Sequence, residues 1–425
     1  MTALPRSLLP MTSTVGPTGT LEIGGLDTLA LVEEFGTPLF VYDEAHIRAR
    51  CQEALRAFGP GVAYASKAFL CKEMARVVAA EGMHIDVASG GEMHVALAAG
   101  VSADRLVLHG NNKSTEELRA AMRAGLHRIV IDSFDELRRI EALVGEGLTP
   151  PAVLLRITPG VEAHTHEFIQ TGQDDSKFGF GVRAGHAEEA ITWAQRSDAV
   201  RLVGLHAHVG SQVFDVRSFE KVIEVLAPIF NPLELEELCI GGGLGVAYVE
   251  GEHSDGLTEW GQSIRRACDA HGVTARITAE PGRAIIAAAA VTFYTIGTVK
   301  EIPGVRTYVA VDGGMSDNPR PVLYGSGYET FLPRAVSEDR SAVVRLVGKH
   351  CESGDLLVRD GLLPQDYRVG DIVATPVTGA YGYALGSNYN KVPRPAVVFV
   401  RDGDARLVVR RETMDDLLRL DVDVP

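Results

Sequence analysis

Val62-Ala63-Tyr64-Ala65-Ser66-Lys67-Ala68-Phe69 decides how the rest of the chain is read. Its β-branched and aromatic residues predict a short buried strand that delivers one lysine at its end. Apolar walls around that amine would disfavour its charge and lower its pKa, as a carbonyl-trapping, Schiff-base lysine requires. A solvated cap at a strand end is the plainer reading, and this stretch alone leaves both open.

Outward from it, apolar strand candidates recur at 62–66, 84–88, 105–109, 128–132, 152–158, 202–209, 236–241 and 275–280. Helical stretches such as 71–80, 115–124 and 260–271 lie between them, many ending near a glycine. Strands alternating with helices predict an α/β fold with a parallel sheet. Eight such repeats predict a closed (β/α)8 TIM-type barrel, and the first strand–helix turn carries no GxGxxG to favour a doubly wound sheet. Upstream, 21–23 reads as a strand, 26–34 as a helix capped by Gly36, and 38–42 as a strand. Asp43 then N-caps a helix running to about Phe58.

Beyond Arg283 the pattern changes to strand-like runs at 291–299, 307–311, 342–347, 372–376, 395–400 and 405–409. No long helix separates them, which predicts a mostly antiparallel β-domain closed by a short helix over 414–420. The expected organisation is therefore 1–36 as a segment joining the β-domain, 37–284 as the barrel, and 285–425 as the C-terminal β-domain.

A chain of 425 residues is long enough for two hydrophobic cores. Its formal charge of -15 argues against nucleic acid and anionic membrane surfaces as partners. Residues 1–20 hold one arginine and no sustained apolar run, unlike a signal peptide, and the apolar run 284–296 is too short to span a bilayer. Five scattered cysteines without a CxxC pair predict no disulfide framework and a cytoplasmic location.

In a barrel, the C-terminal strand ends line one pocket. Here they carry Lys67, Asp86 and Ser89, Arg156, His206 and His208 before Gly210-Ser211, then Gly241-Gly242-Gly243, and finally Glu280-Pro281-Gly282-Arg283. Successive glycine N–H groups suit a phosphate, although a plain turn has the same composition. Glu280 either keeps a pyridine nitrogen protonated or forms an ion pair with Arg283. His206 and His208 alternate on one predicted strand face, as metal ligands do, but the other strand ends offer no histidine cluster to complete such a site. No metal is expected, and the metal-dependent hydrolase stays as the second reading. Lysine, phosphate cradle, flat-ring partner and carboxylate together describe a site for pyridoxal 5'-phosphate.

Tyr-Ala-Ser-Lys at 64–67, His-Ala-His-Val-Gly-Ser at 206–211, Gly-Gly-Gly at 241–243 and Glu-Pro-Gly-Arg at 280–283 resemble the fold-type III pyridoxal phosphate decarboxylases. Their fold is alanine racemase-like. Asn-Pro-Arg-Pro-Val-Leu-Tyr at 318–324, Cys-Glu-Ser at 351–353 and Gly-Ala-Tyr-Gly at 379–382 narrow the resemblance to the branch that turns meso-2,6-diaminopimelate into L-lysine. Decarboxylases of ornithine, lysine or arginine are the alternative within the family.

The resemblance implies that Lys67 carries the cofactor, His208 stacks on its ring and Glu280 faces the pyridine nitrogen. It implies that Ser211, Gly241, Gly242, Gly243, Gly282 and the backbone near Arg283 hold the phosphate, and that Tyr381 touches cofactor and substrate. It gives the substrate's distal carboxylate to Arg283, Arg320 and Tyr324, and its distal ammonium to Glu352. Cys351 would donate a proton, reaching with Glu352 into the pocket of a second subunit, so the resemblance also implies a homodimer with shared sites. An ordinary buried thiol is the plainer reading of Cys351, and a proline-stiffened turn that of 318–324. The polar, glycine-punctuated segment 170–180 reads either as a lid or as a surface loop.

Overall fold

The structure, a computed structural model, describes residues 3–161 and 175–424. It divides into two units: Arg50–Val246 with His253–Ile285, and Met1–Ala49 with Ala247–Glu252 and Ile286–Pro425.

The first unit is built on parallel strands at Ala63–Ala65, His84–Val87, Leu106–Leu108, Arg128–Ile131, Ala152–Thr158, Arg201–His206, Glu237–Cys239 and Arg276–Thr278. Each pairs with the next in chain order. The first strand then meets the end of the last. Ala63 N–H donates to Ala279 O at 2.9 Å and Ala65 N–H to Pro281 O at 3.3 Å, so the sheet closes on itself. All eight predicted strand positions are occupied by these strands. Val107, Val130, Leu154, Val203 and Cys239 pack together from alternating positions inside the barrel.

The helix boundaries follow local chemistry. Ser114 and Glu117 form a capping box at the start of Thr115–Ala124, and Gly125 ends that helix at φ 69°. Ser89 and Ser133 N-cap the helices after the second and fourth strands, their side chains accepting the Glu92 and Glu136 N–H groups.

The second unit holds a sheet in the order Leu356–Leu363, Ala342–Val347, Arg306–Val311, Ala290–Ile302, Leu39–Asp43, Ala396–Arg401, Asp404–Val409. Ile372–Pro376 also pairs with Ala290–Ile302. Two pairings are parallel, Leu39–Asp43 with Ala396–Arg401 and Arg306–Val311 with Ala342–Val347; the others are antiparallel.

Three features differ from the sequence expectation. Residues 37–49, expected with the barrel, group with the second unit, because Leu39–Asp43 is buried throughout and lies inside the second sheet. A strand buried on both faces has the same continuous apolar pattern in either place. Leu356–Leu363 went unrecognised because Arg359-Asp360-Gly361 reads as a turn; register shifts in its ladder accommodate the interruption. At the C-terminus a 3-10 turn, Asp415–Leu418, stands where a helix was expected. Among the described residues no helix is long and apolar enough to cross a membrane.

Residues 318–324 form more than a turn. Pro319 starts a short helix, Arg320–Tyr324, that Gly325 ends at φ 62°. The residue before this motif, Asp317, is buried, and its carboxylate accepts the Gly314 N–H at 3.0 Å. Burial pushes Asp317 up to about 7, the Asp312 and Asp355 carboxylates adding to the shift and the Gly314 N–H opposing it. A carboxyl raised on folding costs stability as pH rises from its unfolded to its folded value. In Asp317→Asn that cost is gone. The variant's stability relative to the parent should therefore improve by about 2–3 kcal/mol between roughly pH 5 and pH 8, measured by thermal melting. Parallel pH profiles for the two proteins would contradict this.

Candidate active site

Lys67 leaves the first barrel strand in a single 3-10 turn, Ser66–Ala68. Its neighbours Ser66 and Ala68 are buried, whereas Lys67 itself is exposed. The apolar walls expected around the amine are not what the structure shows, because the turn carries the side chain past the strand end to the barrel mouth. The Tyr64 hydroxyl donates to Phe69 O at 2.8 Å and fastens the turn. Gly282 allows the end of the eighth strand to pack against it: a Cβ there would lie 3.0 Å from both Ala65 Cβ and Ala65 O.

Glu280 sits beside this turn at the centre of a buried polar cluster. Its Oε1 lies 2.9 Å from His109 Nε2 and its Oε2 lies 3.0 Å from His206 Nε2. Burial alone would raise the Glu280 carboxyl, but the charges and hydrogen bonds of His109 and His206 outweigh it and hold the group well below its ordinary value. For His109, burial works against the charge, while Asp86 (3.8 Å away) and Glu280 restore it and raise its pKa. Burial lowers the pKa of His206, and Glu280 only partly compensates. Asp86 is raised by burial to about 6, His109 pulling the other way. Both Glu280 oxygens are thus taken up by imidazoles, the partners that neither sequence reading of this residue had supplied.

His206 and His208 part company. The sixth strand ends at His206, and His208 lies beyond it, half-buried, its Nδ1 accepting the Gly242 N–H at 3.1 Å. Burial, with the Lys67 charge adding to it, lowers the His208 pKa well below the ordinary value and favours a neutral ring. The two-histidine metal site of the alternative reading is therefore not assembled from this pair. His109, His206 and Glu280 do bring three donor atoms within 4.8 Å of one another, but their contacts have hydrogen-bond lengths.

The glycine run is held by close backbone approach. A Cβ at Gly242 would collide with Glu280 O, and one at Gly243 with Gly210 O. The expected convergence of N–H groups on an anion is only partial. Gly241 N–H donates to Cys239 Sγ at 3.4 Å and Gly242 N–H to His208, so these two amides set the strand end and the imidazole. Arg283 Nη2 donates to the Ser211 hydroxyl at 2.8 Å, which brings a cation and a hydroxyl together near the run.

In the second unit, Arg320 is buried. Its guanidinium carbon lies 4.1 Å from the Tyr248 ring centroid and 5.6 Å from that of Tyr328, and Nη1 donates to the Tyr328 hydroxyl at 2.6 Å. Burial opposes its charge, but the two tyrosines outweigh burial and raise its pKa. Tyr324 is half-buried on the same short helix. Tyr381 is half-buried in the left-handed region at φ 59°, a strained backbone for a bulky residue.

Cys351 and Glu352 are both exposed, so the buried-thiol reading of Cys351 does not hold. The loop bearing them is tied down beneath. Asp355 accepts the His350 and Met315 N–H groups at 2.9 and 2.6 Å, and the His350 ring lies 2.8 Å from the Ser316 hydroxyl.

Sequence reasoning missed His109, Tyr248 and Tyr328. His109 stood at the end of the third predicted strand, where an ionisable residue is a usable signal; nothing local marks the tyrosines as partners of Arg320. Of the lid candidate 170–180, residues 170–174 lie outside the described residues. Phe180–Gly181 pairs with the fifth strand, and Gly179 N–H donates to Asp132 at 2.6 Å.

The sequence model of the pyridoxal-dependent decarboxylase family, pyridoxal binding domain, matches residues 44–287. The chain is 47% identical to the diaminopimelate decarboxylase of Mycobacterium tuberculosis (strain ATCC 25618 / H37Rv), covering 99% of this chain and 98% of that one. It is 46% identical to that of Bacillus subtilis (strain 168), over 95% of each. Among solved structures it resembles the diaminopimelate decarboxylase of M. jannaschii in co-complex with L-lysine, with a TM-score of 0.90, 31% identity and 98% coverage of both chains.

The close approach at the glycine run generates a direct prediction. Gly242→Ala must displace the backbone at Glu280 O, so it should lower stability by about 1–3 kcal/mol. A variant that melts with the parent would show that the run tolerates side chains.

Proposed function

This chain belongs to the diaminopimelate decarboxylases, within the pyridoxal-dependent decarboxylase family, and on that premise we propose that it converts meso-2,6-diaminopimelate to L-lysine and carbon dioxide. The observation that carries this reading is Glu280. It is a buried carboxylate kept ionised by two imidazoles, next to a strand-end turn that presents a lysine. Such a carboxylate suits a protonated pyridine nitrogen, and the glycine run, the neutral half-buried His208 and the Arg283–Ser211 pair suit the rest of the cofactor. When bound, pyridoxal 5'-phosphate supplies an electron-withdrawing ring that accepts the electron pair left by the departing carbon dioxide.

The chain's own residues then divide the remaining work. Lys67 Nζ would anchor the cofactor covalently. Glu280 would face the ring nitrogen and favour its protonated form, and His208 would lie against the ring. Ser211, Gly241, Gly242, Gly243, Gly282 and Arg283 would border the phosphate. By the family resemblance, Arg283, Arg320 and Tyr324 would hold the substrate's distal carboxylate and Glu352 its distal ammonium, while Tyr381 would touch cofactor and substrate. Binding energy from that unreacting end thereby aligns the bond to be broken. Cys351 Sγ would give one proton to the carbon that has lost its carboxylate and regain one from solvent, so that each turnover consumes a single solvent proton.

Arg320 supports the substrate assignment over an ornithine, lysine or arginine type. A guanidinium already ordered by Tyr248 and Tyr328 loses little further freedom on meeting a carboxylate. A substrate ending in an amine alone would set cation against cation. The exposed Cys351–Glu352 loop fits a role in the pocket of a second subunit, so we assign a homodimer with shared sites. All five cysteines are free, as a reducing cytoplasm would keep them, and we place the enzyme there.

The test is turnover of meso-diaminopimelate by the purified protein supplied with pyridoxal phosphate. L-lysine and carbon dioxide should appear in equal amounts, with ornithine, lysine and arginine used at least about a hundredfold less efficiently. Cofactor uptake without lysine formation would overturn the substrate assignment. Arg320→Lys should raise KM by about tenfold or more with a smaller change in kcat, since it removes binding at the distal end. Lys67→Ala and Cys351→Ala should each be inactive alone. When the two are mixed and allowed to exchange subunits, roughly a quarter of parental activity should return if the sites are shared across a dimer. Absence of recovery despite subunit exchange would place each site within one chain.

A further inference from the structure

The cluster around Glu280 contains more than the proposed cofactor contact requires. A carboxylate that faces a ring nitrogen needs one oxygen and a fixed rotation about its last bond. Here both oxygens are engaged by separate barrel strands: Oε1 by His109 Nε2 at 2.9 Å, from the end of the third strand, and Oε2 by His206 Nε2 at 3.0 Å, from the sixth. The two rings stand edge to face with centroids 5.1 Å apart, so each limits the other's rotation. All three residues are buried.

Resting on the function proposed above, we propose that His109 and His206 are positioning residues that clamp Glu280 from both sides. The clamp fixes the carboxylate plane and keeps it an anionic acceptor for the cofactor ring. Neither imidazole has to touch cofactor or substrate. The groups around the clamp are consistent with this. Asp86 Oδ1, from the second strand, lies 3.8 Å from the same His109 Nε2 that meets Glu280 at 2.9 Å, so that nitrogen faces two carboxylates and has reason to carry a proton, with Glu280 the nearer acceptor. Each carboxylate oxygen has two lone pairs, so one imidazole apiece leaves acceptor capacity for a further donor. The arrangement is that of a carboxylate oriented by its own partners, as outer ligands orient the inner ones in metal sites.

The experiment uses the full-length protein and variants that touch only the clamp. Pyridoxal phosphate is titrated into parent, His109→Leu and His109→Gln, followed by its absorption, and kcat and KM are measured in parallel. His109→Leu should bind the cofactor about tenfold more weakly and lose about thirtyfold in kcat, with KM for diaminopimelate within about threefold of the parent. His109→Gln keeps an N–H donor and should regain cofactor affinity to within about threefold. If the leucine variant does not fold, His206→Leu applies the same test to the other oxygen. A folded leucine variant that matches the parent overturns the clamp while the function stands, and so does a glutamine variant as impaired as leucine. Stoichiometric metal in the parent that is lost from His109→Leu also overturns it. A parent that takes up no cofactor overturns the function and the clamp together.

Discussion

Two backbone hydrogen bonds hold the account together: Ala63 N–H to Ala279 O and Ala65 N–H to Pro281 O. They join the first parallel strand to the end of the last, and a sheet that would otherwise have two edges becomes a barrel. The same closure sets the lysine turn beside Glu280, although the two residues are far apart in sequence. Gly282 is the local condition for it, since a side chain there would press on Ala65 and Ala68. Lys67 and Glu280 are neighbours because the barrel closes, and the chemistry proposed for them depends on that closure.

Electrostatics inside the barrel mouth follows from burial acting on groups that have different company. Burial raises Asp86 to about 6, yet Glu280, equally enclosed, stays well below its ordinary value because two imidazoles face it. His109 and His206 diverge in the same way: the carboxylates around His109 outweigh burial, and those around His206 do not. Neighbouring groups, rather than depth alone, decide which carries charge. In the second unit the logic recurs with aromatic partners, where Tyr248 and Tyr328 keep a buried Arg320 charged and oriented.

The barrel was legible because each parallel strand is a short apolar run between amphipathic helices with ordinary caps, such as Ser114 and Gly125. Leu39–Asp43 was legible as a strand but not as a member of the second sheet, since burial on both faces looks alike in either sheet. Motif positions gave the catalytic candidates, but their surroundings depended on contacts between distant segments. No local pattern says that Lys67 is exposed, that His109 meets Glu280, or that Gly241 and Gly242 spend their amides on Cys239 and His208. Those facts arise from how strand ends converge, which single-sequence periodicity does not encode.

The claim on which the rest depends is that Lys67 is the residue that carries the cofactor. Reducing the cofactor-loaded protein with borohydride, then digesting it and mapping the modified peptide, tests that claim most directly. The account predicts one pyridoxyl group per chain, on Lys67, with the buried and ion-paired Lys113 unlabelled. A label on another lysine, or none on a protein that holds pyridoxal phosphate, would contradict it.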